Sequence, residues 1–308
     1  MFAVVGEALV DVVNGSAHPG GSPANVALGL ARLGRPVRLW TRLGRDDYGD
    51  LILGHLQQSG VVIPDDSIDD HPTSSAIATL DERGRASYAF DITWDVALPG
   101  SLPGDVVALH TGSLATVLAP GRDMVSDLIR REHARRRATI SLDLNARPSL
   151  VDDHEALVTR LDQLIPLAHV VKMSEEDLEY LWPGDTVEAM ADRVLAVSSV
   201  AIVVVTRGAD GAWAATRENV VEVPAPQVEL VDTVGAGDAF TSGLLDALAA
   251  ANLLGADAAD LLARQPDVEI RRLLEAAALV AAITCSRRGA DPPTAAEVSS
   301  YRSLPRPT

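Results

Sequence analysis

Short runs of β-branched and other apolar residues alternate along the chain with longer stretches in which apolar positions recur every three or four residues. The short runs predict strands over residues 2–5, 37–39, 106–110, 139–143, 169–172 and 201–206. Several are apolar almost throughout, as expected of strands covered on both faces. The longer stretches predict helices over 23–33, 48–59, 121–136, 175–181, 187–197, 237–251 and 268–285, because residues at i, i+3, i+4 and i+7 share one helical face. This alternation predicts an α/β fold with a doubly wound, mostly parallel sheet flanked by helices.

One segment breaks the rhythm. Residues 74–80 and 86–92 flank Asp81-Glu82-Arg83-Gly84-Arg85, the pattern of a β-hairpin inserted between α/β units. An isolated hairpin is marginal and must pack on something. A lid over a cleft and a surface flap or dimer contact are both open on the pattern alone. No linker, low-complexity tract or internal repeat interrupts the 308 residues, a length that fits one large α/β domain or two smaller ones.

Charge and cysteine content narrow the function. The formal charge is −17, from 43 acidic and 26 basic residues. Such a surface repels DNA and anionic lipid. The densest basic run, Arg130-Arg131-Glu132-His133-Ala134-Arg135-Arg136-Arg137, reads as the solvated end of a helix. Neither nucleic acid nor membrane is expected as a partner. Cys285 is the only cysteine, so no intrachain disulfide forms, and its apolar helical setting reads as a small core residue. The first residues lack a signal-peptide pattern, and the longest apolar run, 273–285, is interrupted by Glu275. A soluble cytoplasmic protein is expected.

The chemistry concentrates in Asp232-Thr233-Val234-Gly235-Ala236-Gly237-Asp238. Two glycines two residues apart strip a tight turn of side chains, so several backbone N–H groups can face one cavity. Phe240, Leu244, Leu245 and Leu248 then mark a helix. The turn therefore sits at a helix N-terminus, where orphan amides and the macrodipole favour an anion. Asp238 lies at its mouth, and a carboxylate there can take the proton of a hydroxyl attacking a phosphate. The plainer alternative is an Asp helix cap after a tight connection.

Other polar groups gather at strand ends, where open α/β sheets bind ligands. Asp11, placed just after the first strand, could accept from two hydroxyls of a polyol. In Gly20-Gly21-Ser22-Pro23-Ala24-Asn25 the glycines permit close backbone approach, Ser22 and Pro23 suit a helix start, and Asn25 matches a sugar hydroxyl. His110-Thr111-Gly112-Ser113 and Asp143-Leu144-Asn145-Ala146-Arg147-Pro148 each follow an apolar strand; Arg147 could hold phosphate or a sugar oxygen, or lie on the surface. Lys172-Met173-Ser174-Glu175-Glu176-Asp177 could bind Mg²⁺ through water or be only a capped helix start. Thr206-Arg207-Gly208-Ala209-Asp210-Gly211 could line a nucleotide cleft. No P-loop, no Gly-x-Ser-x-Gly elbow, no dinucleotide fingerprint and no histidine metal spacing is present.

Taken in order, these motifs resemble the ribokinase-like (PfkB-type) carbohydrate kinases over nearly the whole chain. The likeness runs from Gly6-Glu7-Ala8-Leu9-Val10-Asp11 through the Gly20-Gly21 segment and the hairpin to Arg288-Gly289-Ala290-Asp291-Pro292-Pro293. It implies a single ribokinase-like kinase domain over 1–308 with a small β lid at about 12–19 and 71–98. It further implies that Asp238 is the catalytic base and that the amides of Gly235, Ala236 and Gly237 form the anion hole. Asp11, Gly20, Gly21, Asn25 and Arg147 match sugar-side positions. Lys172, Ser174, Thr206, Gly208 and Gly211, with Gly235 and Gly237, match the nucleotide side. Asp232, Val234, Thr284 and Gly289 match a monovalent-cation site.

Within the family the Gly6–Asp11, 109–114 and 143–148 motifs are most similar to fructokinases, with 2-keto-3-deoxygluconate kinases and then ribokinase further off. The implied activity is transfer of the γ-phosphate of ATP to a sugar hydroxyl, with Mg²⁺ and K⁺ as the implied metal ions. The implied partners are sugar and ATP, and a homodimer through the lid. Two departures stand out. The family's Asn-x-x-Glu reads Ser174-Glu175-Glu176-Asp177 here, which keeps a carboxylate, as Asp177, and loses the amide. The stretch between Asp11 and Gly20 is also short. A catalytically silent sugar- or nucleotide-binding regulator on the same scaffold is the alternative of a different class.

Overall fold

The computed structural model describes residues 1–80, 86–151, 153–197 and 199–303. The N-terminal half runs β1 (Phe2–Val5), β2 (Leu9–Val13), β3 (Ser16–Gly20), α1 (Ser22–Arg32), β4 (Val37–Trp40), β5 (Leu43–Gly44), α2 (Asp47–Gln58), β6 (Ile68–Asp69), β7 (Ser75–Leu80), β8 (Ala86–Asp91), β9 (Ala108–Gly112), α3 (Gly121–Arg135) and β10 (Thr139–Asp143). It continues through α4 (His154–Leu164), β11 (Val170–Ser174), α5 (Glu175–Leu181), α6 (Val187–Leu195), β12 (Ile202–Thr206), β13 (Ala212–Ala215) and β14 (Val220–Val223). Four helices close the described chain: α7 (Ala236–Ala250), α8 (Ala258–Leu262), α9 (Asp267–Cys285) and α10 (Ala295–Ser303).

The main sheet has the order β14-β13-β12-β11-β10-β9-β1-β4. From β12 to β4 every pairing is parallel, as the strand–helix alternation predicts. Its strands from β13 to β4 are buried on both faces, while β14 at the edge leaves Val220 and Glu222 exposed. In β1, Phe2 and Val4 join the core beneath α1, α7 and α9, whereas Ala3 and Val5 join the core beneath α3, α4 and α6. The doubly wound expectation therefore holds. The two outer strands differ: β13 is antiparallel to β12, and β14 to β13. The connection from Thr206 to Ala212 is too short for a crossover helix, which parallel pairing requires.

Several elements go beyond the sequence reading. The helix His154–Leu164 is capped by Asp153, which accepts from Ala156 N–H, and buries Leu157, Leu161 and Leu164 on one face. β9 and β11 reach Gly112 and Ser174, two residues past the expected ends at 110 and 172. The apolar run marks only the covered part of each strand, while the ladder continues into the polar positions at the carboxyl edge. Cys285 is the last residue of α9 and only half-buried, not a core residue.

A second sheet, ordered β3-β2-β7-β8, stands apart from the main one. β2 and β3 form a hairpin through Asn14-Gly15, both left-handed with φ of 52° and 78°. Asn-Gly is the residue pair that a two-residue hairpin turn favours. β2 also pairs parallel with β7, and β7 antiparallel with β8. The expected hairpin strands over 74–80 and 86–92 are thus found, while the turn Asp81-Glu82-Arg83-Gly84-Arg85 lies outside the described residues. Asp11 sits in the middle of β2, between His18 and Ala76, not in a loop just after the first strand.

Candidate active site

The carboxyl edge of the main sheet faces the start of α7. Gly235 adopts a left-handed φ of 75° and caps the helix without any side-chain hydrogen bond. A Cβ on Gly235 would lie 2.6 Å from Ala290 Cβ, so the turn presses directly on the closing loop. Asp238 is in the first helical turn, but its carboxylate caps nothing. Ser22 Oγ donates to Oδ1 at 2.6 Å, and Asn25 Nδ2 donates to Oδ2 at 2.8 Å. The cap alternative is excluded by this geometry. Ser22 is likewise not the cap of α1, a place taken by Gly21 with φ 101°. Asp238 is only 9% exposed. Burial pushes its pKa up, the Ser22 and Asn25 hydrogen bonds pull it down, and the nearby Asp143 charge raises it again.

Beneath this turn lies a buried ion pair. Lys172 Nζ donates to Asp143 Oδ2 at 2.7 Å, and Thr241 Oγ1 donates to the same oxygen at 3.1 Å. Lys172 is 5% and Asp143 1% exposed. Burial opposes the ammonium, but Asp143, with Asp177 and Asp238 behind it, outweighs burial and raises the Lys172 pKa. The same ammonium would stand 3.4 Å from a Cβ on Gly237, so it borders the glycine turn. Asp143 Oδ1 is buried and has no donor among the described residues. His110 is fully buried, and burial, then the Lys172 charge, lowers its pKa to about 3, so the ring is neutral.

Ser174 and Asp177 form a reciprocal cap at the start of α5. Ser174 Oγ accepts from Asp177 N–H at 3.0 Å, and Asp177 Oδ2 accepts from Ser174 N–H at 2.8 Å. Asp177 Oδ1 accepts from Ala146 N–H at 2.8 Å. Both carboxylate oxygens are thus engaged by backbone. Thr206 ends β12, and Gly208 and Gly211 take left-handed φ of 51° and 95° in the turn to β13. A Cβ on Gly211 would strike Val223 O, whereas Gly208 faces open space.

The remaining expected residues fall on two flanks. Asp232 Oδ1 accepts from Val234 N–H and Oδ2 from Gly289 N–H, at 3.1 and 2.8 Å. Cys285 O accepts from the N–H groups of Val231 and Asp232. The structure thus brings Asp232, Val234 and Gly289 together beside the anion turn, while the buried Thr284 hydroxyl donates back to Val280 O. Among the described residues no group of three His, Cys, Asp or Glu side chains could hold a metal ion. On the other flank, Gly20 runs hard against the Asp11 carboxylate. Burial raises the Asp11 pKa, and His18 and Arg147 lower it. Arg147 itself is exposed, at the turn after β10. Sequence reasoning did not assign a site role to Ser22 as a partner of Asp238, to Thr241, or to Glu7, which is treated below.

The fold and this turn together define a phosphotransferase that acts on a sugar hydroxyl. Residues 3–296 match the pfkB family carbohydrate kinase profile, and the chain belongs to that family. A fructokinase from Rhizobium leguminosarum bv. trifolii is 34% identical over 272 residues, covering 82% of this chain and 81% of that protein. A fructokinase from Xylella fastidiosa, solved with bound ATP, superposes with a TM-score of 0.84 at 31% identity, covering 97% of each chain. A double mutant of a Vibrio cholerae O395 fructokinase, solved with fructose, ADP and a potassium ion, gives a TM-score of 0.80 at 27% identity and the same 97% coverage of each chain. Among the described residues no helix is long and apolar enough to cross a membrane.

Proposed function

We propose that this protein transfers the γ-phosphoryl group of MgATP to a hydroxyl of fructose. The observation that carries the reading is the setting of Asp238: a buried carboxylate gripped by Ser22 and Asn25, at the head of a glycine turn bordered by the Lys172 ammonium. The sugar hydroxyl oxygen attacks the γ-phosphorus as the bond to the β-phosphate oxygen breaks. Asp238 takes the hydroxyl proton, and ADP leaves. Burial raises the Asp238 pKa, which makes it a stronger base. The amides of Gly235, Ala236 and Gly237 stabilise the charge on the transferring group, with Lys172 beside them.

The residues fit a divalent ion at one oxygen. Asp143 Oδ1 is the buried carboxylate oxygen left without a donor among the described residues, whereas both oxygens of Asp177 are engaged. Asp143 is therefore the better candidate to accept from the water shell of Mg²⁺, and Ser174 and Asp177 act by shaping the strand end. Bound Mg²⁺ supplies charge neutralisation on the phosphates. Potassium suits the carbonyl-rich loops around Asp232, Val234 and Gly289. Asp11, Gly20, Gly21, Asn25 and Arg147 line the sugar side, and Thr206, Gly208 and Gly211 the nucleotide side. The second sheet, which carries Asp11, serves as a lid and as the surface for a homodimer, within a single domain. The enzyme acts in the cytoplasm, where ATP is available.

The test is ATP consumption by the purified protein with fructose, 2-keto-3-deoxygluconate, ribose, glucose or adenosine, in Mg²⁺ and K⁺. Fructose is expected to give the highest kcat/KM. A better rate with another sugar overturns the fructose assignment. No turnover on any of them by a folded, ATP-binding protein overturns the enzyme reading in favour of a silent sensor.

A further inference from the structure

Glu7 is a buried acid that the proposed reaction does not use. It lies in the turn between β1 and β2, is 3% exposed, and its Oε2 accepts from Ala115 N–H at 3.1 Å. Its carbonyl oxygen lies where a Cβ on Gly21 would approach to 2.5 Å. The neighbouring Gly6 is wedged between Pro23 and Ala115. Glu7 thus joins the turn after β9 to the start of α1, the segment whose Ser22 and Asn25 hold Asp238. The turn it grips is itself unusual: Ser113 is buried with a left-handed φ of 52°. Non-glycine residues persist in that conformation when their surroundings hold them there, and such positions cluster at functional sites. Arg147, exposed in the turn after β10, makes no ion pair with either group, but its charge lowers the pKa of both Glu7 and Asp11.

We propose that Glu7 is a positioning residue for the sugar: ionised, it fixes the turn at Ser113 and Ala115 and holds Arg147 toward the Asp11 side of the cleft, and protonated it loosens both. The inference rests on the kinase reading above. Burial raises the Glu7 pKa from 4.5 to about 7, against the pull of its own backbone N–H, the Arg147 charge and the Ala115 N–H, so the change falls near neutrality. Arg147 is the charged side chain whose field acts on Glu7 among the described residues; it also acts on Asp11, which pairs with His18 across β2 and β3. The proton is held more tightly in the folded chain than in the unfolded one. The contribution of Glu7 to stability is therefore greatest below pH 4.5 and is lost as pH rises through about 7. The ionised form that positions the sugar is the one that weakens the fold.

The experiment compares wild type with Glu7→Gln, which keeps an acceptor for Ala115 N–H and removes the charge. In the wild type, KM for the sugar is expected to be about threefold to tenfold higher near pH 6 than near pH 8.5, with kcat changed less than about twofold. Glu7→Gln should hold the high KM at every pH and melt above wild type near pH 8.5. A KM profile in Glu7→Gln that follows wild type overturns the proposal, as does an equal loss in kcat and KM with a lower Tm at every pH. The Ala115 amide resonance reads the titration without any sugar. It should shift with a midpoint near pH 7 in wild type and stay fixed in Glu7→Gln. An unshifted wild-type resonance overturns the proposal even if turnover fails on every sugar, an outcome that counts against the kinase reading alone.

Discussion

Ser22 Oγ and Asp238 Oδ1 stand 2.6 Å apart, although 216 residues of chain separate them. The first residue of α1 and the first turn of α7 are fastened at this point, with Asn25 completing the grip one helical turn later. Because both bonds are accepted by the carboxylate, the side chain is fixed while it is ionised. Asp238→Asn should fold normally and keep its sugar affinity while kcat falls by about 10²–10⁴, the usual worth of a positioned base. Circular dichroism and steady-state kinetics decide it: near-normal turnover refutes the base assignment.

Lys172→Met leaves the Asp143 carboxylate buried without its cation. Breaking one side of such a pair costs about 3–5 kcal/mol, which in a chain of this size lowers Tm on the order of 10 °C. Lys172→Met combined with Asp143→Leu should recover most of that loss, since neither charge is then stranded, and still turn over poorly. A single variant that melts with wild type, read by calorimetry, would show that the pair is not a buried unit.

Gly235→Ala places a methyl group 2.6 Å from Ala290 Cβ and 2.9 Å from Ala290 Cα, at a left-handed φ. Both Tm and kcat should fall. Gly34→Ala is the control. It has φ of 82° but no atom within 4 Å of the added carbon, so it carries only the backbone penalty of about 1–2 kcal/mol. Equal losses of activity in the two variants would argue against a special role for the turn at Ala290.

Acid stability depends on His169. Burial first, then His133 and Arg136, lower its pKa from 6.5 to about 4, and its Nδ1 accepts from Ile140 N–H at 2.8 Å. The unfolded chain takes up this proton near pH 6.5 while the folded chain resists until about 4. The contribution of His169 to stability is therefore full above 6.5 and declines as pH falls through that window, by up to about 3 kcal/mol. His110, lowered to about 3, adds to the decline in the same direction. Urea unfolding between these pH values should show a shallower decline in His169→Gln, and an unchanged slope would refute the assignment.

The sequence carried the sheet well because strands covered on two faces are apolar along their length, and a helix between parallel strands writes its own period. The glycine turn was legible for a related reason: only glycine permits the φ of Gly235 beside Ala290. What pairs with what across the chain was not. Nothing local to Asp143 announces Lys172 or Thr241, and nothing local to Asp238 announces Ser22. The hairpin of β2 and β3 did carry a signal, Asn14-Gly15 between alternating residues, and reading it would have moved Asp11 from a loop into a strand. Polar strand ends such as Thr111 and Ser174 escape an apolar-run reading because the ladder continues there into polar residues. Asp177 shows the converse, a carboxylate in a ligand-like pattern, with one oxygen closing a helix cap and the other held by Ala146 N–H.

The grip on Asp238 by Ser22 and Asn25, and the loop of Gly289 against Asp232, also bear on how the protein is made. A ribosome that has released only the first 230 residues has delivered every strand of the main sheet, but neither Asp238 nor the glycine turn at Gly235. The proposed transfer therefore waits until the segment through Ala290 has emerged and Asp238 has folded back onto α1, a helix made near the start.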